Sequence, residues 1–563
     1  MKTIYSTLSI LLLFILSSCQ KDEQVFEDQL LVGTELIEAV MSGGQYQFDV
    51  LSNRDMTIET DVDWIELDSA FLAKGKHKAG FSVQKNADDE RTGIITIRLN
   101  EEFTKQILVA QESGKIPVFF VSPSGTGDGS SWEEATNFAS AMNQATSGSV
   151  LYLMQGRYTP TATIRNGETT EWSDRTFEIS KNVEIIGGYS GEGDPDEQPN
   201  MEEYPTVLDG RLANGKQAFH TVTISAPKEA DMRVTLRNLQ VTGGHATDRS
   251  TVIRVNGLAF SRGEGGGITI GGSRVYMEQV EVIENEASSA GGTAGFAAGL
   301  YAFGGADIHL ENCRVNHNRN LNNNGGGAWI HESTLTAFES EFNHNYARGT
   351  AGGVHGYPDA KIVLYNSEVS YNSNTSFGAG LYMRQGSQAI VVNSLLIGNT
   401  STSPNGGGAV MLYAGSQADI ISSTISANEI AGPGGGVFRQ SGVNPLVVVN
   451  SVISGNKQAS GSTDVDAHAD NQSHSPDLNN SAIGTVIYAE GGAAVSGVKF
   501  NASTMLSPEY LLVGEENPAR SYGLDKAGLA RLSQTYTPAL DERIEQDKKG
   551  HAREEKVMGA LVE

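Results

Sequence analysis

Asparagine returns at an almost fixed interval through the second half of the chain, at Asn285, Asn318, Asn345, Asn372, Asn399, Asn428 and Asn456. Five of the six intervals lie between 27 and 29 residues, and the sixth, 33, contains a Gly/Ala-rich insertion at 286–298 that reads as a loop projecting from one turn. A period of this length means one supersecondary unit per repeat, unable to bury its apolar face alone and stacked on its neighbours. Three residues before each asparagine stands an apolar residue (Val282, Val315, Phe342, Val369, Leu396, Ile425, Ile453), and two before that a smaller one (Val280, Cys313, Ser340, Ser367, Ser394, Ser423, Ser451). A two-residue separation points both to the same side of a strand, so each series is expected to stack inward as a ladder, one residue per coil. Cys313 thereby falls in a core column rather than at a reactive site. The asparagines are expected to ladder as well, their amides satisfying neighbouring turns.

Earlier segments fit the same plan. A strand at 119–123, an amphipathic helix at 132–145 with Ala135, Phe138, Ala139 and Met142 at helical spacing, and a strand at 150–154 precede coils at 183–188, 207–210 and 234–244. This order resembles the start of pectate-lyase-like β-helix proteins, in which a helix covers the open apolar end of the solenoid. The need is physical, because an uncapped coil exposes core and strand edges together. The alternation of glycine pairs with an asparagine turn also resembles the repeats of polymorphic outer-membrane proteins and related β-helix adhesins. The fold class expected is all-β, with a small N-terminal β-sandwich followed by a right-handed, single-stranded parallel β-helix at 117–502. Residues 503–563, ending in Gly559, Ala560, Leu561, Val562 and Glu563, look like the terminal segment of exported β-helix repeat proteins and are expected to close the last coil.

The N-terminus points to export. Lys2, an apolar run at 8–16 and Leu16, Ser17, Ser18 and Cys19 read as a removable signal at 1–18, too short to span a bilayer. The tetrad matches the lipobox of bacterial lipoproteins, which implies that Cys19 becomes the lipid-modified first residue of the mature chain. Gln20, Lys21, Asp22 and Glu23 resemble the charged signal that sends Bacteroidetes lipoproteins to the outer face of the outer membrane, at the head of a linker over 19–30. With Cys19 and Cys313 the only cysteines, no disulfide is expected. Between 31 and 113, short alternating runs separated by Gly, Asn and Asp turns predict the sandwich. Gly43 and Gly44, Ser52 and Asn53, Asp63, Trp64 and Ile65, Arg91, Thr92 and Gly93, and the closing run 107–111 resemble the BACON domain. That family's name suggests carbohydrate binding, and a spacer role is equally open; Trp64 reads as a core residue.

A net charge of −27 argues against nucleic acid and anionic membrane surfaces as partners and leaves neutral glycans, or acidic ones bridged by a cation. Candidate chemistry lies on the strand that follows each glycine pair. Aligning these strands gives an outward column of Tyr301, Trp329, His355, Tyr382, Val410 and Phe438, and an inward one of Ala302, Ile330, Gly356, Met383 and Met411. A second outward column runs Phe303, His331, Tyr357, Arg384, Leu412 and Gln440. At about 4.8 Å per coil, six rungs make a strip of roughly 24 Å, long enough for several sugar units lying on ring faces. Tyr301, Phe303, Trp329, His331, His355, Tyr357, Tyr382, Arg384 and Phe438 are the candidate binding residues, for a polysaccharide or surface glycan met by a monomer anchored to the outer membrane. A loop folded over the rings would instead make them a secondary core. Resemblance to β-helix polysaccharide lyases implies an alternative, proton abstraction beside a uronate carboxylate with charge neutralised by calcium or arginine, using His331, His355, Tyr357 and Arg384. A structural adhesin meeting protein is the third reading, and no cofactor is expected outside the lyase case.

Overall fold

The computed structural model describes residues 28–101, 103–164, 171–193, 199–226, 231–289, 295–432, 434–439 and 446–458, with short stretches at 467–469, 477–479, 482–483, 486–488, 546–552 and 560–561. The signal, Cys19, the charged residues after it, Gln440 and most of 503–563 lie outside them. The chain divides into two compact units, 1–116 and 117–563.

In the first unit, Leu30–Val32, Gly44–Ser52, Gly75–Val83 and Ile65–Leu67 form one antiparallel sheet. Leu36–Ala39, Thr104–Gln111, Arg91–Arg98, Met56–Thr60 and Phe71–Leu72 form a second, antiparallel except where Leu36–Ala39 runs parallel to Thr104–Gln111. Strict alternation decides which faces meet: Phe48, Val50 and Phe81 from one sheet share a core with Ile58, Ile95, Ile97, Ile107 and Val109 from the other. Trp64 is part of that core, 7% exposed, with the Arg91 guanidinium 4.4 Å from its ring. Gly43 turns at φ +70°, and a Cβ there would sit 2.2 Å from the Val83 carbonyl oxygen, so only glycine fits.

The second unit is a solenoid of parallel strands in long stacks. One stack runs from Val118–Val121 through Arg274–Ile283, Asp307–Glu311, Thr334–Phe338, Lys361–Tyr365 and Gln388–Val392 to Asp477–Asn479. A second runs from Phe177–Ile179 through Ile268–Gly271, Leu300–Phe303, Ala328–Ile330, Val354–Gly356, Leu381–Arg384, Val410–Tyr413 and Val437–Arg439. A third is built of two-residue strands such as Arg319–Asn320 and Tyr346–Ala347. Register advances by one period per rung, Thr334 beside Lys361 beside Gln388. A single apolar core follows the axis, and every member of the Val282 to Ile453 column lies in it. Cys313 is buried there, its thiol pushed up to about 12 by loss of solvent, which leaves it inert.

The corners hold because their polar groups are used up. Each ladder asparagine is fully buried and donates to the next, as Asn318 to Asn345 (3.2 Å), Asn345 to Asn372 (3.0 Å) and Asn372 to Asn399 (3.0 Å). The second amide hydrogen goes to a carbonyl one coil back, from Asn345 to Val315 O at 2.8 Å. The serine column repeats the device, the backbone N–H of Ser340, Ser367 and Ser394 each donating to the Oγ one coil on. Such a network stabilises only when every member is satisfied, which explains its unbroken run. The residue before each asparagine takes a left-handed turn, φ +58° at His317, +57° at His344 and +55° at Tyr371, a conformation that costs about 1–2 kcal/mol outside glycine.

The first coil is capped by a helix, but a shorter one than 132–145. It spans Phe138–Gln144, begins at Asn137, whose side chain accepts from Ser140 N, and places Phe138, Ala141 and Met142 on the core. Thr136 is drawn into bridges with Val121 and Thr126, so the preceding residues cannot join the helix. The described part of the C-terminal segment lies along the flank of the solenoid: Ala560 N donates to Thr424 Oγ1, Ala560 and Leu561 pack on Leu395 and Ile397, and Asn393 donates to Gln546 O. No helix among the described residues is long and apolar enough to cross a membrane.

Candidate functional site

The wall strands alternate as the spacing requires. Leu300, Ala328, Val354, Leu381 and Val410 face inward and are fully buried, while Tyr301, Trp329 and His355 pair rung to rung on the outside. Two register assignments need correction. Tyr382 pairs with Met411, not Val410, and Arg384 with Tyr413, not Leu412; Met411 is therefore outward and Leu412 inward. The cause is local, since Asn399 to Asn428 is 29 residues and the two extra residues fall in the glycine-rich turn before Val410.

The rings stack at the coil repeat. Trp329 lies 4.7 Å from His355 at 30°, and His355 4.9 Å from Tyr382 at 32°. They are not an open strip, however. Tyr301 is 7% exposed, Phe303 9%, Trp329 6%, His355 2%, Tyr382 3% and Phe438 5%, so the outer face of this sheet carries a second core. Two insertions that break the period supply the cover. Val252–Val255 and Leu258–Ser261 form an antiparallel hairpin that sets Phe260 against Phe303 at 5.1 Å, tied down where Arg262 pairs with the buried Asp174 (2.6 Å). The returning end of the 286–298 insertion sets Phe296 edge-on to Trp329 at 4.3 Å. Further along, Phe377 covers Tyr382. Burying rings of this size outweighs an open wall, at about 1.5–3 kcal/mol per large apolar side chain.

Between these covers a cleft of about 310 Å³ remains, within the range of small-ligand sites. Tyr301, Trp329, His331, His355, Tyr357 and Arg384 line it, all expected from sequence, so the stacking brings together residues from four coils. Phe303 lies under the hairpin, and Tyr382 and Phe438 belong to a separate buried cluster with Met411. Arg249, Glu264, Phe296 and Asn324 also line the cleft and were missed, because all four come from turns or insertions outside the strand columns.

Charge and hydrogen bonding in the cleft are uneven. Arg249 is matched by Glu264 at 3.0 Å and lies over the Phe296 ring. Arg384 is not so matched: its guanidinium sits 4.9 Å from the Tyr357 ring and 5.5 Å from that of Tyr413, and its buried Nε has no partner among the described residues. His331 Nδ1 and both ring nitrogens of His355 are likewise buried without a partner. Burial first, then the charges of Arg384 and His331, push the His355 pKa down to about 3, so its ring is neutral at pH 7. Tyr301 is pushed well above the phenol range by burial, with Glu264 adding to the effect, and remains a neutral hydroxyl. Unsatisfied buried donors cost about 1–3 kcal/mol each and concentrate at functional positions. Other features lack this combination. A wider groove of about 700 Å³ is lined by Glu202, Glu281, Glu339 and Glu341, and its Arg314 is taken up by Glu281 at 3.0 Å, while none of the rings in the exposed stack of His317, His344 and Tyr371 is buried. Among the described residues, no three His, Cys, Asp or Glu side chains gather as metal ligands.

A family match supports the solenoid. Residues 317–483 match the family described as right handed beta helix region. No curated protein matches the sequence. Among solved structures, the periplasmic chaperone SfaE is 10% identical, with 15% of this chain and 58% of that one covered and a TM-score of 0.13. A Bacteroides ovatus GH5 xyloglucanase in complex with a XXXG heptasaccharide is 11% identical, with 38% and 56% covered and a TM-score of 0.16. Pectate lyase Pel9A is 14% identical, with 78% and 88% covered and a TM-score of 0.28. The chain thus spans a little over half the length of the first two. It is a mostly-β protein in which small N-terminal sheets precede a long β-helix solenoid, and residues 317–483 of that solenoid are a right-handed β-helix region.

Proposed function

We propose that this chain is an exported, lipid-anchored surface protein that binds carbohydrate in the cleft between Trp329 and Arg384. The observation that carries this is the meeting, in one concave place, of large rings with buried nitrogens of His331, His355 and Arg384 that have no partner among the described residues. Sugars present apolar faces to rings and polar groups to donors, and a site for them needs both. In a chain of net charge −27, a guanidinium with no carboxylate paired to it among the described residues favours an acidic sugar. Anchoring through Cys19 to the outer face of the outer membrane rests on the Leu16 to Cys19 tetrad and the charged residues after it, and the BACON-like unit would hold the solenoid off the bilayer.

Uronate polysaccharide lyase is the second reading, favoured by His331, Tyr357 and Arg384 lining the same cleft. Arg384 would neutralise the carboxylate, and His331 or Tyr357 would take the α proton. His355 drops out as base: a pKa near 3 makes it a poor proton acceptor, and Trp329 and Tyr382 sandwich it. The test is retention of the mature protein on a panel of neutral and uronate glycans, with and without calcium, while unsaturated product is followed by absorbance. Retention on uronate glycans, lost in Arg384→Gln at unchanged melting temperature and without product, is the expected result. Product that disappears in His331→Ala would make the chain a lyase, and retention on no glycan would end the binding reading.

A further inference from the structure

We infer that the cleft takes the end of a glycan rather than an internal stretch, with the terminal acidic unit against His331 and Arg384 and the next one or two units lying across Tyr413 and Phe377. This rests on the binding reading above. Two sides of the wall differ. Toward the N-terminal coils the hairpin closes it: Phe260 is 1% exposed and sits on Phe303, and Phe296 stands edge-on against Trp329. A polymer entering from that side would have to displace a packed secondary core.

Toward the C-terminal coils the second outward column continues as Tyr357, Arg384 and Tyr413, all half-buried. Arg384 lies between the two tyrosine rings, and Phe377, also half-buried, stacks on Tyr413 at 6.3 Å and 26°. At about 4.8 Å per rung, the run from Tyr357 to Tyr413 covers roughly 10 Å, the reach of about two pyranose units. Rings beside a cation give such units a face to lie on and a charge to meet. One blocked side and one ring-lined side make a site with a direction, which suits a chain end.

Isothermal titration with α-1,4-linked oligogalacturonides of one to six units tests this, together with trimers blocked at one end or the other. Affinity is expected to rise about tenfold from one unit to three and then level off. Blocking one of the two ends should abolish trimer binding, and the gain between one and three units should vanish in Tyr413→Ala and in Phe377→Ala, each first shown to melt as the parent does. Affinity that keeps rising to six units, or trimers indifferent to blocking at either end, would overturn chain-end recognition while leaving the binding reading intact. Absence of binding at every length would remove the binding reading and this inference with it.

Discussion

Asn345 joins three coils through one amide, accepting from Asn318 and donating to Asn372 and to Val315 O. Asn345→Ala leaves a buried N–H and a buried carbonyl unpaired, so it should lower stability by about 2–4 kcal/mol in urea unfolding. A loss below 0.5 kcal/mol would mean the ladder only decorates the corner. His355 makes a pH prediction. Its folded pKa of about 3 lies below the ordinary imidazole value, so between roughly pH 3 and 6.5 the unfolded chain binds the extra proton. The stability it permits is complete above pH 6.5 and is lost as pH falls toward 3, at about 1.4 kcal/mol per pH unit. Buried His220, held near 4 by loss of solvent, acts in the same direction. His355→Phe should therefore flatten the fall of melting temperature between pH 6 and 4.5, and an unchanged slope would contradict its burial as a neutral ring. At this scale sequence was informative, since the column spacing picked out six residues that meet in the cleft. Their exposure was not legible, because it depends on what covers them.

The covering elements show where sequence reading fell short. Asn256 and Gly257, flanked by alternating residues, are a two-residue hairpin signal, and both take positive φ, +53° and +81°. They lie outside the coil period, so the repeat alone does not reveal them. The 286–298 insertion was expected as a projecting loop, yet its end turns back over Trp329. Tyr413 was displaced from its column by the longer turn before Val410, which periodicity with a fixed step cannot see. If the hairpin is a roof and not part of the solenoid, Phe260→Ala should speed hydrogen exchange at 252–261 and leave exchange in the ladder asparagines unchanged. Truncating a buried phenylalanine removes about 3–5 kcal/mol, enough to open a local element. Faster exchange spreading through the coils would show that the hairpin supports the whole wall.

Over the whole molecule, the asparagine repeat was enough to foresee a solenoid with an inward core, because a period of about 27 residues leaves few other ways to bury one apolar stripe per repeat. The ligand is harder to foresee, since the repeat builds a wall and irregular segments decide which part of it stays open. Labour is thus divided, with regular coils supplying a vertical column of rings and insertions covering it on either side of the cleft between Trp329 and Arg384. The decisive measurement is a crystal structure of the mature protein grown with trigalacturonate. A carboxylate of the sugar is expected at the Arg384 guanidinium, with the remaining units over Tyr413 and Phe377. Sugar bound on the exposed His317, His344 and Tyr371 stack, with the cleft unchanged, would contradict it.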